Sequence, residues 1–230
     1  MKEIKQGCDL KSCFLCKHSL PEWLHAVAVH KKNFRVKKGE VIFNEGDKVT
    51  GIYFAHDTNI KVHKKWGKDK ELIIRFARQG AIFGHRGLGR NNVYPVSATA
   101  LEPGTVCYVD ISFFEATLKT NNSFAYNLML FFADELQESE RKMRNLAHMS
   151  VKGRVAQALI TLKDQFGVNS DGSIAIELSR QDLASFAGAT YETVFRVMNE
   201  LLKEDSIKVS GKKIVINNPE KLLQLTADDQ

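Results

Sequence analysis

Glu192 and Arg196 stand four residues apart in "ATYETVFRVMNELLKE", residues 189–204. On a helix that spacing puts both side chains on one face. A carboxylate held there can accept a hydrogen bond from a cytosine amino group, and a guanidinium can bridge O6 and N7 of guanine. The same spacing suits an intramolecular ion pair, so two readings stand at this point. The thiols form a second set. Cys8, Cys13 and Cys16 lie close together and Cys107 far along the chain. In a reducing compartment, clustered thiols point to metal or redox chemistry rather than structural disulfides. Four thiolates can hold one iron–sulfur cluster. A zinc site, a reversible thiol switch and inert cysteines are the other readings. Arg86 and Arg90 flank glycines in "GHRGLGR" and suit either an anion or solvent.

The elements that carry Glu192 and Arg196 are legible around them. "LSRQDLASFAGATYETVFRVMNELLKE", residues 178–204, reads as helix, break, helix. Leu183, Phe186 and Ala187 make one apolar series; Val194, Phe195, Met198, Leu201 and Leu202 make the next. Ser179 is a good N-cap, with Asp182 at the positive end of the first helix. Gly188 can take the left-handed conformation that ends it, and Thr190 can cap the second. The pattern is a helix-turn-helix, whose second helix can enter a major groove. Its exposed face is expected to carry Tyr191, Glu192 and Arg196. Ser179, Arg180, Gln181, Thr190 and Thr193 complete the groove-facing set. "SIKVSGKKIVINN" then predicts two strands turning at Ser210-Gly211-Lys212, a basic wing whose Lys208, Lys212 and Lys213 can lie on phosphates. Helix-turn-helix plus wing favours groove reading over the ion pair.

The remaining chain predicts an α+β protein. From Phe34 to Val109, short apolar runs alternate with glycine turns, the texture of an antiparallel sandwich or barrel. Residues 1–20 are polar, bear cysteines and are expected to be loosely ordered. Pro21 starts a short helix. Residues 121–148 contain neither glycine nor proline, and Leu128, Phe132, Leu136, Met143 and Leu146 recur at helical steps. That predicts a long amphipathic helix, packed on a twin from another subunit or on its own barrel. "KGRVAQALITLKDQF" predicts a helix and "IAIEL" a strand. The expected division is 1–20, a sensor domain over 21–119, a dimerisation helix over 120–148 and a winged helix-turn-helix over 149–230. Of the 230 residues, 43% are hydrophobic and 26% charged, ordinary globular values, and the net charge of +6 fits nucleic acid or an anionic surface. No apolar run is long enough to span a membrane, and "MKEIKQGCDL" lacks a signal-peptide core. A cytoplasmic protein with no membrane partner is expected.

In these motifs the sequence resembles the CRP/FNR family of bacterial transcription regulators. The likeness covers nearly the whole chain. It rests on the 178–216 segment with Glu192, Thr193 and Arg196, on "NLAHMSVKGRVAQALITL", on "RVKKGEVIFNEGD" and on "GIYFAHDTNIKV". It implies an N-terminal β-roll of the cyclic-nucleotide-binding type (a double-stranded β-helix or jelly roll), a long dimerisation helix and a C-terminal winged helix-turn-helix. It also implies a homodimer on double-stranded DNA, half-sites about one helical turn apart, and RNA polymerase as a partner. Glu192 and Arg196 would read a G·C-containing core. Two departures stand out. Tyr191 lies where nucleotide-responsive members have arginine, and Phe195 replaces a small residue.

For the effector, the resemblance points to Gly84, His85, Arg86, Ser97, Ser139 and Glu140. The family's phosphate cassette is broken: His85 stands for its glutamate and Val96 for its arginine. Cyclic AMP bound in that mode is not expected. Iron–sulfur members use three N-terminal cysteines plus one in the roll, which maps to Cys8, Cys13, Cys16 and Cys107; the Cys-x4-Cys-x2-Cys spacing departs from the better-known order. Control would pass from the roll through the long helix and a hinge near His148–Lys152. The rival readings are a small-molecule-binding module and a cupin-type metalloenzyme. His56, His63 and His85 include no His-x-His pair, so no enzyme is expected.

Overall fold

The computed structural model describes residues 1–5, 9, 11–67 and 70–227. They fall into two compact units, Met1–Leu136 and Gln137–Gln230.

The first unit is built on nine strands: β1 (Lys2–Ile4), β2 (Lys32–Val36), β3 (Val41–Phe43), β4 (Gly51–Ala55), β5 (Ile60–Trp66), β6 (Lys70–Ala77), β7 (Ile82–Phe83), β8 (Ser97–Ala100) and β9 (Gly104–Asp110). They form two antiparallel sheets, ordered β1-β2-β9-β4-β7 and β3-β8-β5-β6. Phe43, Tyr53, Phe83 and Tyr94 meet among the apolar residues of one core cluster, with Phe43 and Tyr94 stacked at 3.9 Å between ring centroids. Three helices join this unit: α1 (Phe14–His18), α2 (Leu24–His30) and α3 (Ile111–Thr120), the last capped by Asp110. A fourth, α4 (Asn122–His148), begins here with Phe124 and Leu128 buried.

The described N-terminal residues are not loose, contrary to expectation. β1 pairs with β2, and the Phe14 N–H donates to Gly80 O at 2.7 Å. Cys13, Leu15 and Cys16 supply apolar surface to a second cluster with Val27, Phe54, Ile82 and Phe124. Burial of that surface outweighs the polar composition around it. Gly80 has φ of +82°, and a Cβ there would lie 2.7 Å from Ser12 O, so only glycine admits this approach.

Along α4 the apolar stripe turns outward after Leu128. Met129, Leu130, Phe132, Leu136, Met143 and Leu146 are all exposed. Met149 and Ser150 break the helix, and Ser150 caps α5 (Val151–Phe166). The second unit continues with α6 (Arg180–Ala187), α7 (Tyr191–Lys203), β10 (Ile207–Ser210), β11 (Lys213–Ile216) and α8 (Pro219–Gln224). A Cβ on Gly153 would lie 2.6 Å from Leu225 O, so glycine lets the chain end pack on α5. "IAIEL" is not the expected strand. Only isolated bridges form there, Val168 to Ile174 and Ser173 to Val215, before the chain turns into α6. Among the described residues no helix is long and apolar enough to cross a membrane.

Candidate functional site

The helix-turn-helix is fixed by its caps. Ser179 Oγ accepts the Asp182 N–H at 3.0 Å and donates to that carboxylate. Gly188 ends α6 at φ 64°, ψ 42°. Thr190 Oγ1 accepts the Thr193 N–H, and the two hydroxyls meet at 3.0 Å, so Thr193 serves the cap. Arg154, on α5, secures the turn. Its guanidinium donates to Ala187 O at 3.1 Å and Gly188 O at 3.3 Å, supplying carbonyls at the end of α6, and to Met149 O at 2.8 Å.

Capped in this way, α7 buries Val194, Val197, Met198 and Leu201. Tyr191, Glu192, Phe195 and Arg196 face outward. Phe195 and Leu202 were expected in the apolar series but are exposed, because the core needs only the stripe that Val194, Val197, Met198 and Leu201 fill. Glu192 and Arg196 do not pair with each other, and among the described residues neither side chain has an ion-pair or hydrogen-bond partner. An acceptor and a five-donor fork are thus left open on one helix face.

The wing pairs Ile207 with Ile216 through Ser210 with Lys213. Lys208 and Lys212 are exposed. Lys213 is also exposed, and its Nζ lies 2.7 Å from Asp171 Oδ2. Lys213 and the Ser173 hydroxyl hold the Asp171 carboxyl below the usual carboxylate range. Arg180 likewise has a local task, donating to Gly211 O at 3.2 Å and tying the wing tip to the start of α6. Gln181 is exposed on the first turn of α6.

In the roll, the predicted effector residues come together only in part. Gly84 has φ of +81°, and a Cβ there would press on Tyr94, Phe43 and Tyr53. His85 is 3% exposed, and neither ring nitrogen has a hydrogen-bond partner among the described residues. Burial, then the charges of Arg75 and Arg86, hold its pKa well below the usual value, so the ring is neutral. Arg86 is half-buried and engaged: its Nη2 lies 2.8 Å from Glu135 Oε2. Arg75 meets the other oxygen at 3.1 Å, donates to Ile82 O and covers the Phe131 ring at 5.4 Å. Sequence reading missed Arg75 and Glu135; the one cue is a cation inside the apolar run "LIIRFA". Ser97 Oγ is engaged by the Glu45 N–H at 2.9 Å, and Val96 is buried in the apolar cluster. Ser139 and Glu140 fall beyond the division at Leu136, in the second unit.

The thiols of Cys13, Cys16 and Cys107 are buried in one apolar cluster. Cys13 Sγ accepts the Cys16 N–H, and Cys107 Sγ donates to Asn33 Oδ1 at 2.9 Å. Cys8 lies outside the described residues. Among the described residues no three His, Cys, Asp or Glu side chains are grouped so as to hold a metal ion. The donor chemistry of Cys13, Cys16 and Cys107 fits an iron–sulfur or zinc site.

Residues 33–121 match the cyclic nucleotide-binding domain and residues 153–225 the Crp-like helix-turn-helix domain. An "Anaerobic regulatory protein" of Bacillus subtilis is 30% identical over 206 residues, covering 87% of this chain and 85% of the relative. A "cAMP-activated global transcriptional regulator CRP" of Pasteurella multocida is 27% identical over 177 residues, covering 76% and 85%. Among solved structures, FixK2 from Bradyrhizobium japonicum superposes with a TM-score of 0.77 at 25% identity, covering 87% of this chain and 99% of that one.

Proposed function

The chain belongs to the CRP/FNR family of DNA-binding transcription regulators, and on that premise we propose that it binds a two-fold symmetric operator as a homodimer, under control of its β-roll. The observation that carries this is the outward face of α7. Glu192 and Arg196 are held by a capped helix, exposed and, among the described residues, without partners. With α7 in the major groove, Arg196 bridges guanine and Glu192 accepts from cytosine. Lys208 and Lys212 lie against phosphates. The exposed stripe of α4 supports dimerisation through a twin helix. This activity places the protein in the cytoplasm and involves no catalysis. Contact with RNA polymerase is proposed on family membership alone.

The test is fluorescence anisotropy with an operator selected from random duplexes. Arg196→Ala is expected to weaken binding by about 1–3 kcal/mol and relax preference at one base pair. An unchanged base preference would remove Arg196 from the reading role.

Control is assigned to the Arg75–Glu135–Arg86 cluster, which ties β6 and the loop after Gly84 to α4. The buried Val96 and neutral His85 support an effector other than cyclic AMP bound in the family's usual mode. The Bacillus subtilis relative is named for anaerobic regulation. Together with three thiols in one cluster, that supports a redox signal, with an iron–sulfur cluster on Cys8, Cys13, Cys16 and Cys107 proposed from donor chemistry alone. Anaerobic purification with iron, sulfide and zinc analysis decides it; a colourless, metal-free protein that still responds to its signal ends the cluster reading.

A further inference from the structure

Two aromatic side chains share the outer face of α7 with the charged pair. Tyr191 is 42% exposed and Phe195 51% exposed. Their rings lie 14° from parallel with centroids 6.2 Å apart. Residues four apart stack along a helix, so this face carries two adjoining rows. One is Tyr191 and Phe195; the other is Glu192 and Arg196. The rows differ by one residue, about 100° around the axis. A helix that lays the charged row on one base pair therefore turns the aromatic row toward a neighbouring one.

An exposed aromatic pair is costly in water and is expected where it meets apolar surface. On the floor of the major groove, the apolar group that a base pair offers is the thymine 5-methyl. The charged surroundings argue for DNA as the occupant. Glu192 and Arg196 border the pair, and Lys208 and Lys212 lie exposed on the wing that follows α7. A protein partner seated on the rings would have to bury that open acid and guanidinium, which costs more than leaving them wet.

We infer that Tyr191 and Phe195 read thymine methyl groups beside the G·C pair contacted by Glu192 and Arg196. The inference rests on α7 being the groove-reading helix. Tyr191 and Phe195 then set half-site preference: the operator places thymine next to its G·C core, and the ring faces cover the methyl carbons.

The experiment replaces each thymine of the selected operator, one at a time, with deoxyuridine, which keeps the base pair and removes only the methyl group. The full chain is titrated by fluorescence anisotropy. One or two positions flanking the core are expected to weaken binding about three- to tenfold, the worth of a buried methyl. In Phe195→Ala the thymine and uracil duplexes are expected to bind alike at the position its ring covers, and in the double variant with Tyr191→Ala at every position; circular dichroism and thermal melting confirm that these surface variants are folded. Tyr191→Ala supplies the second row member. Uracil tolerated at every position by the unmodified protein, while Arg196→Ala still relaxes preference, overturns methyl reading and leaves the groove helix in place. Uracil sensitivity that survives both aromatic substitutions also overturns it. If neither uracil nor Arg196→Ala alters preference, α7 is not the reader, and the failure lies with the proposed function instead.

Discussion

His85 shows how burial sets the state of a single side chain. Its ring sits edge-on to Phe131 and Phe132, with centroids at 5.0 and 5.4 Å, beside two guanidiniums. The folded chain holds it neutral, whereas the unfolded chain takes up a proton below about pH 6.5. The unfolded state then binds more protons, so folding stability falls as pH drops through that range. His85→Leu is expected to flatten this decline, read as urea midpoints at pH 7.5, 6.5 and 5.5. A decline as steep as in the unmodified protein would place the titrating group elsewhere. Glu135 is the other decisive side chain. Glu135→Gln leaves Arg75 and Arg86 without their counter-charge, and a loss of about 1–3 kcal/mol is expected in the unfolding of the first unit. A change in operator affinity beyond what misfolding explains would mark it as part of the control route.

At the scale of elements, the wing separates two lysines that look alike in sequence. Lys212 is exposed, while Lys213 is paired with Asp171. A lysine that meets phosphate releases a counterion, and its removal lowers the salt slope of binding. Lys212→Ala is expected to reduce the slope by about one for each copy in the complex. Lys213→Ala is expected to change it less, because part of that charge is already spent. Equal effects would show that the Asp171 pair opens on DNA. The caps of α6 and α7 were legible, since Ser179, Gly188 and Thr190 act within their own turns. Arg154 was not: it reaches carbonyls more than thirty residues away, at Ala187 and Gly188.

For the molecule as a whole, the exposed stripe of α4 is the feature that one chain alone does not satisfy. Leu136 and Met143 are among its most exposed members. Leu136→Glu is expected to shift sedimentation from dimer to monomer and weaken operator binding, because a two-fold site needs both recognition helices at once. A variant that stays dimeric would place the interface elsewhere. Affinity of the unmodified protein should also fall steeply with added salt, in keeping with lysine–phosphate contacts.

The sequence by itself determined most of the elements and their order, but not β1 or the loss of a strand at "IAIEL". Apolar periodicity, glycine turns and capping residues act over a few positions, so the strands of the roll, α4 and the helix-turn-helix could all be read from neighbours along the chain. It also placed Glu192 and Arg196 on one face. Tertiary structure decided what each side chain is left to do. It buried Cys13, Leu15 and Cys16 among residues of β4, β7 and α4, gave Arg86 to Glu135 and Lys213 to Asp171, and turned Phe195 outward. Those outcomes depend on pairs brought together across long stretches of chain, where the competition between burial and charge is settled by distance in space and leaves no local pattern.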